Sequence, residues 1–309
     1  MTPPLRGTLD ASMVGVSVGP IAHEIDARWL MAYAASLGET DPRYFDTLRS
    51  EGPVAHPVFA VCYEWPAAVA LRDKTIAADL QPQSVHATHH LTLHRAPRAG
   101  DTLHTTARVL ELASRRSGTL VVSRFETVDA HGEPVSTTDY GSVYRDVALA
   151  GTPKGHRQPE APEAPEPAGA GASSLDTPLA LEAPAPAGPG AVDWQELVEV
   201  TASAAWVYTE CARIWNPIHT DVAVAKRAGL RAPILHGTAT LALAVSRVVA
   251  RDLAGAAGRV KEIRARFTGM VPMPSTFTVR GRGRAGSRVA FDAVGIDGVP
   301  ILSQGALTT

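Results

Sequence analysis

Tyr208-Thr209-Glu210-Cys211-Ala212-Arg213-Ile214-Trp215-Asn216-Pro217-Ile218-His219 is followed, a short way on, by Pro233-Ile234-Leu235-His236-Gly237. Beyond Gly237, in Thr238 to Ala250, Leu241, Val245, Val248 and Val249 fall at i, i+4, i+7 and i+8, the spacing of one buried helical face. β-prone runs come next, at 263–267, 276–279, 289–294 and 300–307, separated by Gly, Pro and Ser. One long apolar helix with strands behind it predicts an α+β layout in which an antiparallel sheet wraps the helix.

The same order occurs once before. Tyr33 precedes Pro42 by nine residues and Tyr208 precedes Pro217 by nine, so that Asp41-Pro42 answers to Asn216-Pro217. Asp46 and Asp221 stand four positions past those prolines, and Pro53-Val54-Ala55-His56 answers to Pro233-Ile234-Leu235-His236. A helical stretch at 58–71 and apolar runs at 85–94, 102–112, 119–128 and 135–144 complete the first copy. Matches in a consistent order argue for duplication. Pro66, inside the first helical stretch, predicts a kink or an interruption there. Residues 151–192 hold 9 of the 24 prolines and no helical or strand period, which marks a tether between domains at 11–150 and 193–309, disordered or draped over the surface.

Bulk properties agree with two ordinary domains. The 309 residues suffice for two cores. A net charge of -2, from 29 basic and 31 acidic residues, gives no electrostatic footprint for nucleic acid. Cys62 and Cys211 support neither a disulfide framework nor a cysteine zinc site. Met1 to Asp10 has no apolar leader core, and no run approaches the roughly 18 apolar residues a membrane span needs, so a cytoplasmic protein without a membrane anchor is expected. His86, His89, His90 and His94 invite a metal. Strand alternation puts His86, His90 and His94 on one face and His89 on the other, with neighbours four apart separated by about 13 Å, so no metal site is expected. Arg264 and Arg266 alternate with apolar neighbours and mark a solvated strand face.

The segment 208–219, with Pro233 to Gly237 ahead of the long helix, resembles the MaoC-like acyl-thioester hydratase/dehydratase family, and the resemblance is specific over about 208–245. Members of that family have the hot-dog fold, often in tandem, and an active loop of the form Asp-x-Asn-Pro-x-His. The resemblance therefore implies a double hot-dog protein acting on an acyl thioester of coenzyme A or of an acyl carrier protein, without a cofactor, and possible as a homodimer. Its first half, with Tyr44 where the second has His219, would be the degenerate partner that shapes the acyl tunnel.

The chemistry explains the residue types. Moving water across the α,β bond of an acyl thioester needs proton transfer at Cα and at the β-oxygen, and relief of negative charge on the thioester oxygen. His219 suits the proton work. Asn216 would orient the hydroxyl or water, on a loop stiffened by Pro217. Gly237, at a helix N-terminus, offers a backbone N–H to the carbonyl without a side chain in the way. His236 repeats His56, which points to a shared structural role. The departure is Ile214, where the family has its aspartate; an isoleucine exchanges no proton. Glu210, four residues earlier, would share a helical face with it and is the local candidate to replace that carboxylate, while the repeat places Glu39 opposite Ile214. The alternatives are a diverged thioesterase or cyclase, or a non-catalytic acyl-thioester-binding subunit.

Overall fold

The computed structural model describes residues 5–152 and 192–309. Most of the expected tether, residues 153–191, lies outside the described residues. The first half contains β1 (Gly7–Asp10), β2 (Ser17–Glu24), α1 (Ala27–Ser36), α2 (Ala60–Thr75), β3 (Ser84–Leu93), β4 (Thr102–Arg115), β5 (Gly118–Asp129), β6 (Pro134–Arg145) and β7 (Val147–Ala150). The second contains β8 (Trp194–Val200), α3 (Ala204–Ala212), α4 (Val222–Arg227), α5 (Gly237–Asp252), β9 (Glu262–Phe267), β10 (Ser275–Ala285), β11 (Arg288–Gly295) and β12 (Pro300–Thr308).

Ten strands form one sheet in the order β2-β4-β5-β6-β3-β9-β12-β11-β10-β8, and β1 pairs with β7 beside it. Read from either edge inward, the order repeats: β2-β4-β5-β6-β3 from one side and β8-β10-β11-β12-β9 from the other. The two sets meet where β3 runs antiparallel to β9, with Leu91 opposite Ile263. The fold is an α+β double hot-dog, each half of the sheet wrapped on one long helix.

Buried faces hold this arrangement. Leu241, Val245, Val248 and Val249 of α5 are all buried, as their helical spacing requires. α2 runs through Pro66 without interruption, contrary to one expectation. The proline removes one backbone donor, but Cys62 and Tyr63 before it and Ala67 and Leu71 after it are buried, and that packing outweighs the lost bond. The repeated tyrosines face each other across the joint between α1 and α3: Tyr33 and Tyr208 are buried with hydroxyls 3.4 Å apart. Of the repeated aspartates, Asp221 caps α4 through Ala223 N–H at 2.7 Å, and Asp46 accepts from Leu48 N–H at 2.9 Å. No helix among the described residues is long and apolar enough to cross a membrane.

Candidate active site

The end of α3 sets the site. The helix stops at Ala212 because Arg213 takes the left-handed conformation, φ 58°, and the chain turns sharply. Ile214 then points inward, 4% exposed, while Trp215 is turned out. Asn216 opens the short turn Pro217–His219, and its side chain makes no capping bond to that turn. His219 is buried, with Nδ1 2.8 Å from the carbonyl oxygen of Ile234. A carbonyl only accepts, so Nδ1 carries the proton and Nε2 keeps its lone pair. His236 stacks on this ring at 3.7 Å between centroids and places Nε2 3.2 Å from Thr209 Oγ1. Burial pushes His219 down to about 4 and His236 well below the usual histidine range, so both are neutral at pH 7.

Gly237 is the first residue of α5. N–H groups in the first turn of a helix have no partner within it, and the dipole there favours negative charge. A side chain at this position would bring Cβ to 3.3 Å from the Phe267 ring and 3.5 Å from His86 Nδ1. Ile214, Asn216, His219, His236 and Gly237 all line one cavity of about 540 Å³, which continues between α2 and the inner faces of β5 and β6 in the first half.

Two first-half residues in this cavity escaped the sequence reading. His86 does not share a face with His90 and His94. A bulge in the β3–β6 pairing between His86 and Thr88 adds a residue and turns His86 inward, which simple alternation misses. Its ring stacks on Tyr140 at 3.8 Å and lies 4.1 Å from Phe267. Nε2 donates to Thr88 O at 3.1 Å, which leaves Nδ1 unprotonated, close to Gly237. His90 instead meets Glu262 at 2.6 Å, a carboxylate that also pairs with Arg264. No three His, Cys, Asp or Glu among the described residues are grouped to hold a metal ion. The second missed residue is Glu64 of α2, buried and lining the cavity.

Glu210 does not serve the site. It is exposed on α3 and absent from the cavity wall. The helix ends before Ile214, so the four-residue spacing no longer sets a common face. Glu39, the repeat counterpart of Ile214, packs in the core with Oε1 3.9 Å from His56 Nε2, and His56 in turn meets Ser246 of α5 at 3.2 Å. Neither Glu39, Tyr44 nor His56 lines the cavity. The carboxylate kept by the first half is therefore walled off from the second-half loop.

Buried histidines carry a stability consequence. Burial lowers His56 and His89 to about 3, His219 to about 4, and His86 and His236 well below the usual range. Each stays neutral in the folded chain but binds a proton in the unfolded chain below about pH 6.5. The unfolded state thus holds more protons there, and stability falls as pH drops from about 6.5 toward 4. Glu39 and Glu64 are raised by burial and act in the opposite direction above pH 4.5. The histidines outnumber them, so on balance stability is expected to fall as pH drops through this window. Urea midpoints measured at pH 7, 6 and 5 would show it; equal midpoints would contradict it.

Comparison with known proteins agrees with this fold. Residues 189–293 match the model of the MaoC like domain, and residues 12–138 match that of the FAS1-like dehydratase domain region. No curated protein matches the chain. Among solved structures, a MaoC-like dehydratase from Phytophthora capsici is similar at TM-score 0.75 and 22% identity, covering 96% of this chain and 95% of that one. Full-length peroxisomal multifunctional enzyme type 2 from Drosophila melanogaster is similar at TM-score 0.71 and 21% identity, over 94% of this chain and 48% of that one, so the present chain spans about half its length. A conserved hypothetical protein of Mycobacterium tuberculosis described as having a double hotdog fold is similar at TM-score 0.57 and 18% identity, over 96% and 95% of the two chains. At these identities the structural likeness speaks for the shared fold. On one repeated sheet order, the chain is a double hot-dog protein whose second half is similar to the MaoC like domain and whose first half is similar to the FAS1-like dehydratase domain region.

Proposed function

We propose that this chain adds or removes water on an enoyl or 3-hydroxyacyl thioester, of coenzyme A or a carrier protein, with His219 as the proton-transfer group. The observation that carries this reading is the tautomer of His219: Nδ1–H is held by Ile234 O, so the base Nε2 is left free in the cavity that Gly237 also lines. The thioester oxygen takes the Gly237 N–H, where negative charge develops in the transition state. Asn216, uncommitted to its own turn, orients the β-hydroxyl or water beside His219. The first half, through α2, β5 and β6, supplies the compartment for the acyl chain.

Ile214 supports a specific divergence. With an aliphatic side chain in place of a carboxyl, the loop offers one base and a drier wall, so simple enoyl hydration runs slowly and a reaction that needs a single base is favoured. Thioester hydrolysis, cyclisation and binding without turnover are the other uses of such a site. Purified protein incubated with short, long and branched enoyl and 3-hydroxyacyl thioesters, followed by mass spectrometry, separates them. Gain or loss of water is the expected result. Release of the free acid would make it a thioesterase, and retention of intact thioester without turnover would make it a binding subunit.

A further inference from the structure

α2 carries a carboxyl where a compartment for a plain alkyl chain has no use for one. Glu64 is 4% exposed and lines the cavity. Its hydrogen bond among the described residues is from Thr138 Oγ1 to Oε1 at 2.6 Å. Cys62 and Tyr63 on the same helix feel its charge, and both are raised chiefly by burial. Tyr63 donates to Ser136 of β6, and Arg95 acts on Tyr63 but not on Glu64. Among the described residues no cation balances a charge on Glu64, so desolvation favours the protonated form and pushes the group up to about 8. With Oε1 accepting from Thr138, the proton sits on Oε2, which has no protein partner among the described residues.

β6 fixes where this donor lies relative to the reacting carbons. Thr138 and Tyr140 are two residues apart on one strand, so they share a face about 7 Å apart. Tyr140 stacks on His86, and His86 abuts Gly237. Contacts thus run from Gly237 through His86 to Tyr140, and Thr138, two residues along β6 from Tyr140, holds Glu64 on the same cavity. Ser123 of β5 and Ser142 of β6 add further hydroxyls to the same wall.

We propose that Glu64 is a specificity residue: its carboxyl O–H donates a hydrogen bond to an oxygen on the acyl chain several carbons beyond the thioester. The preferred substrate is then an oxygenated acyl thioester, bearing a hydroxyl or keto group, rather than a plain alkyl one. This rests on the cavity being the acyl site, and its test avoids turnover.

Unreactive acyl-pantetheine thioethers of eight carbons, one plain and others carrying a hydroxyl or keto group at C5, C6 or C7, are titrated into the full chain by calorimetry. The native protein is expected to bind the best oxygenated analogue on the order of tenfold tighter than the plain one. Glu64→Gln keeps an N–H donor and retains the preference; Glu64→Leu loses it. Above about pH 8 the native preference for the keto analogues fades as the carboxyl loses its O–H donor, whereas that of Glu64→Gln persists. This pH contrast decides the matter if Glu64→Leu does not fold. Equal binding of plain and oxygenated analogues by the native protein, or a preference that survives in Glu64→Leu, overturns the proposal alone. Failure of every analogue to bind overturns the acyl-site reading with it.

Discussion

His219→Ala is expected to lower turnover of a confirmed thioester substrate by about 10²-fold or more, because general acid–base help of this kind is worth about 10²- to 10⁴-fold. The hydrogen bond of His219 Nδ1 to Ile234 O leaves its Nε2 lone pair free, and the residue lines the same cavity as Gly237 and Asn216. Alanine removes that nitrogen but leaves the loop, whose course is set by Arg213, Pro217 and the capped α4. The fold should therefore survive. Deleting a buried ring that pays its desolvation cost as a neutral base also relieves part of the acid sensitivity, so the variant should lose less stability than the native chain between pH 6.5 and 4. Since His219 is lowered to about 4, it remains an unprotonated base down to roughly pH 5, and the native rate should not fall on its account between pH 5 and 8. Rate, thermal melting and pH profile on one preparation check all three. Comparable turnover in the variant would remove His219 from the mechanism.

What could be read from the residues divides along a physical line. Periodic, apolar elements were readable: the α5 face declares itself at Leu241, Val245, Val248 and Val249, and the eight strands β3–β6 and β9–β12 sit close to their expected runs. β2 and β8, the first sheet strand of each half, were not. β2 contains Gly19-Pro20, which reads as a turn, and β8 has Gln195, Leu197 and Glu199 on an exposed face. They are edge strands, held by one neighbour each, so their residues carry little core signal. At the site, the loop residues were readable because their chemistry is local in sequence. His86 was hidden by a bulge, a property of pairing with β6 rather than of β3 itself. Glu64 was hidden because a carboxyl on a helix is ordinarily solvated, and only the packing of α2 against β6 puts it inside. Glu210 misled for the converse reason: one left-handed residue, Arg213, breaks the helical register that the argument assumed.

Ile214→Asp is expected to raise enoyl hydration by on the order of 10²- to 10⁴-fold, the usual worth of one acid–base group. Ile214 is buried on the cavity wall, and its backbone approaches His236, which stacks on His219. A carboxyl here would stand in a dry site among neutral imidazoles, while the neighbouring Arg213 lies over the Trp29 ring and faces Asp26. Its pKa would be raised, which suits a group that must give a proton to one carbon or oxygen while His219 takes one from the other. The change also costs stability, about 3 to 5 kcal/mol for exchanging a buried aliphatic side chain for an unpaired polar one. Melting must therefore be followed beside the rate. Ile214→Asn supplies the control, since it has the same shape and polarity but exchanges no proton. Hydration of crotonyl thioester that rises in the aspartate variant and not in the asparagine one would show that the missing carboxyl limits the native chain. Equal rates in both variants would show that a wetter pocket, not a second proton carrier, is what the native site lacks. A native chain that already hydrates crotonyl thioester at the speed of the aspartate variant would sink the divergence argued from Ile214. Binding of thioesters by native chain and variants alike, with turnover by none, would leave the chain a binding subunit in the fold of an enzyme.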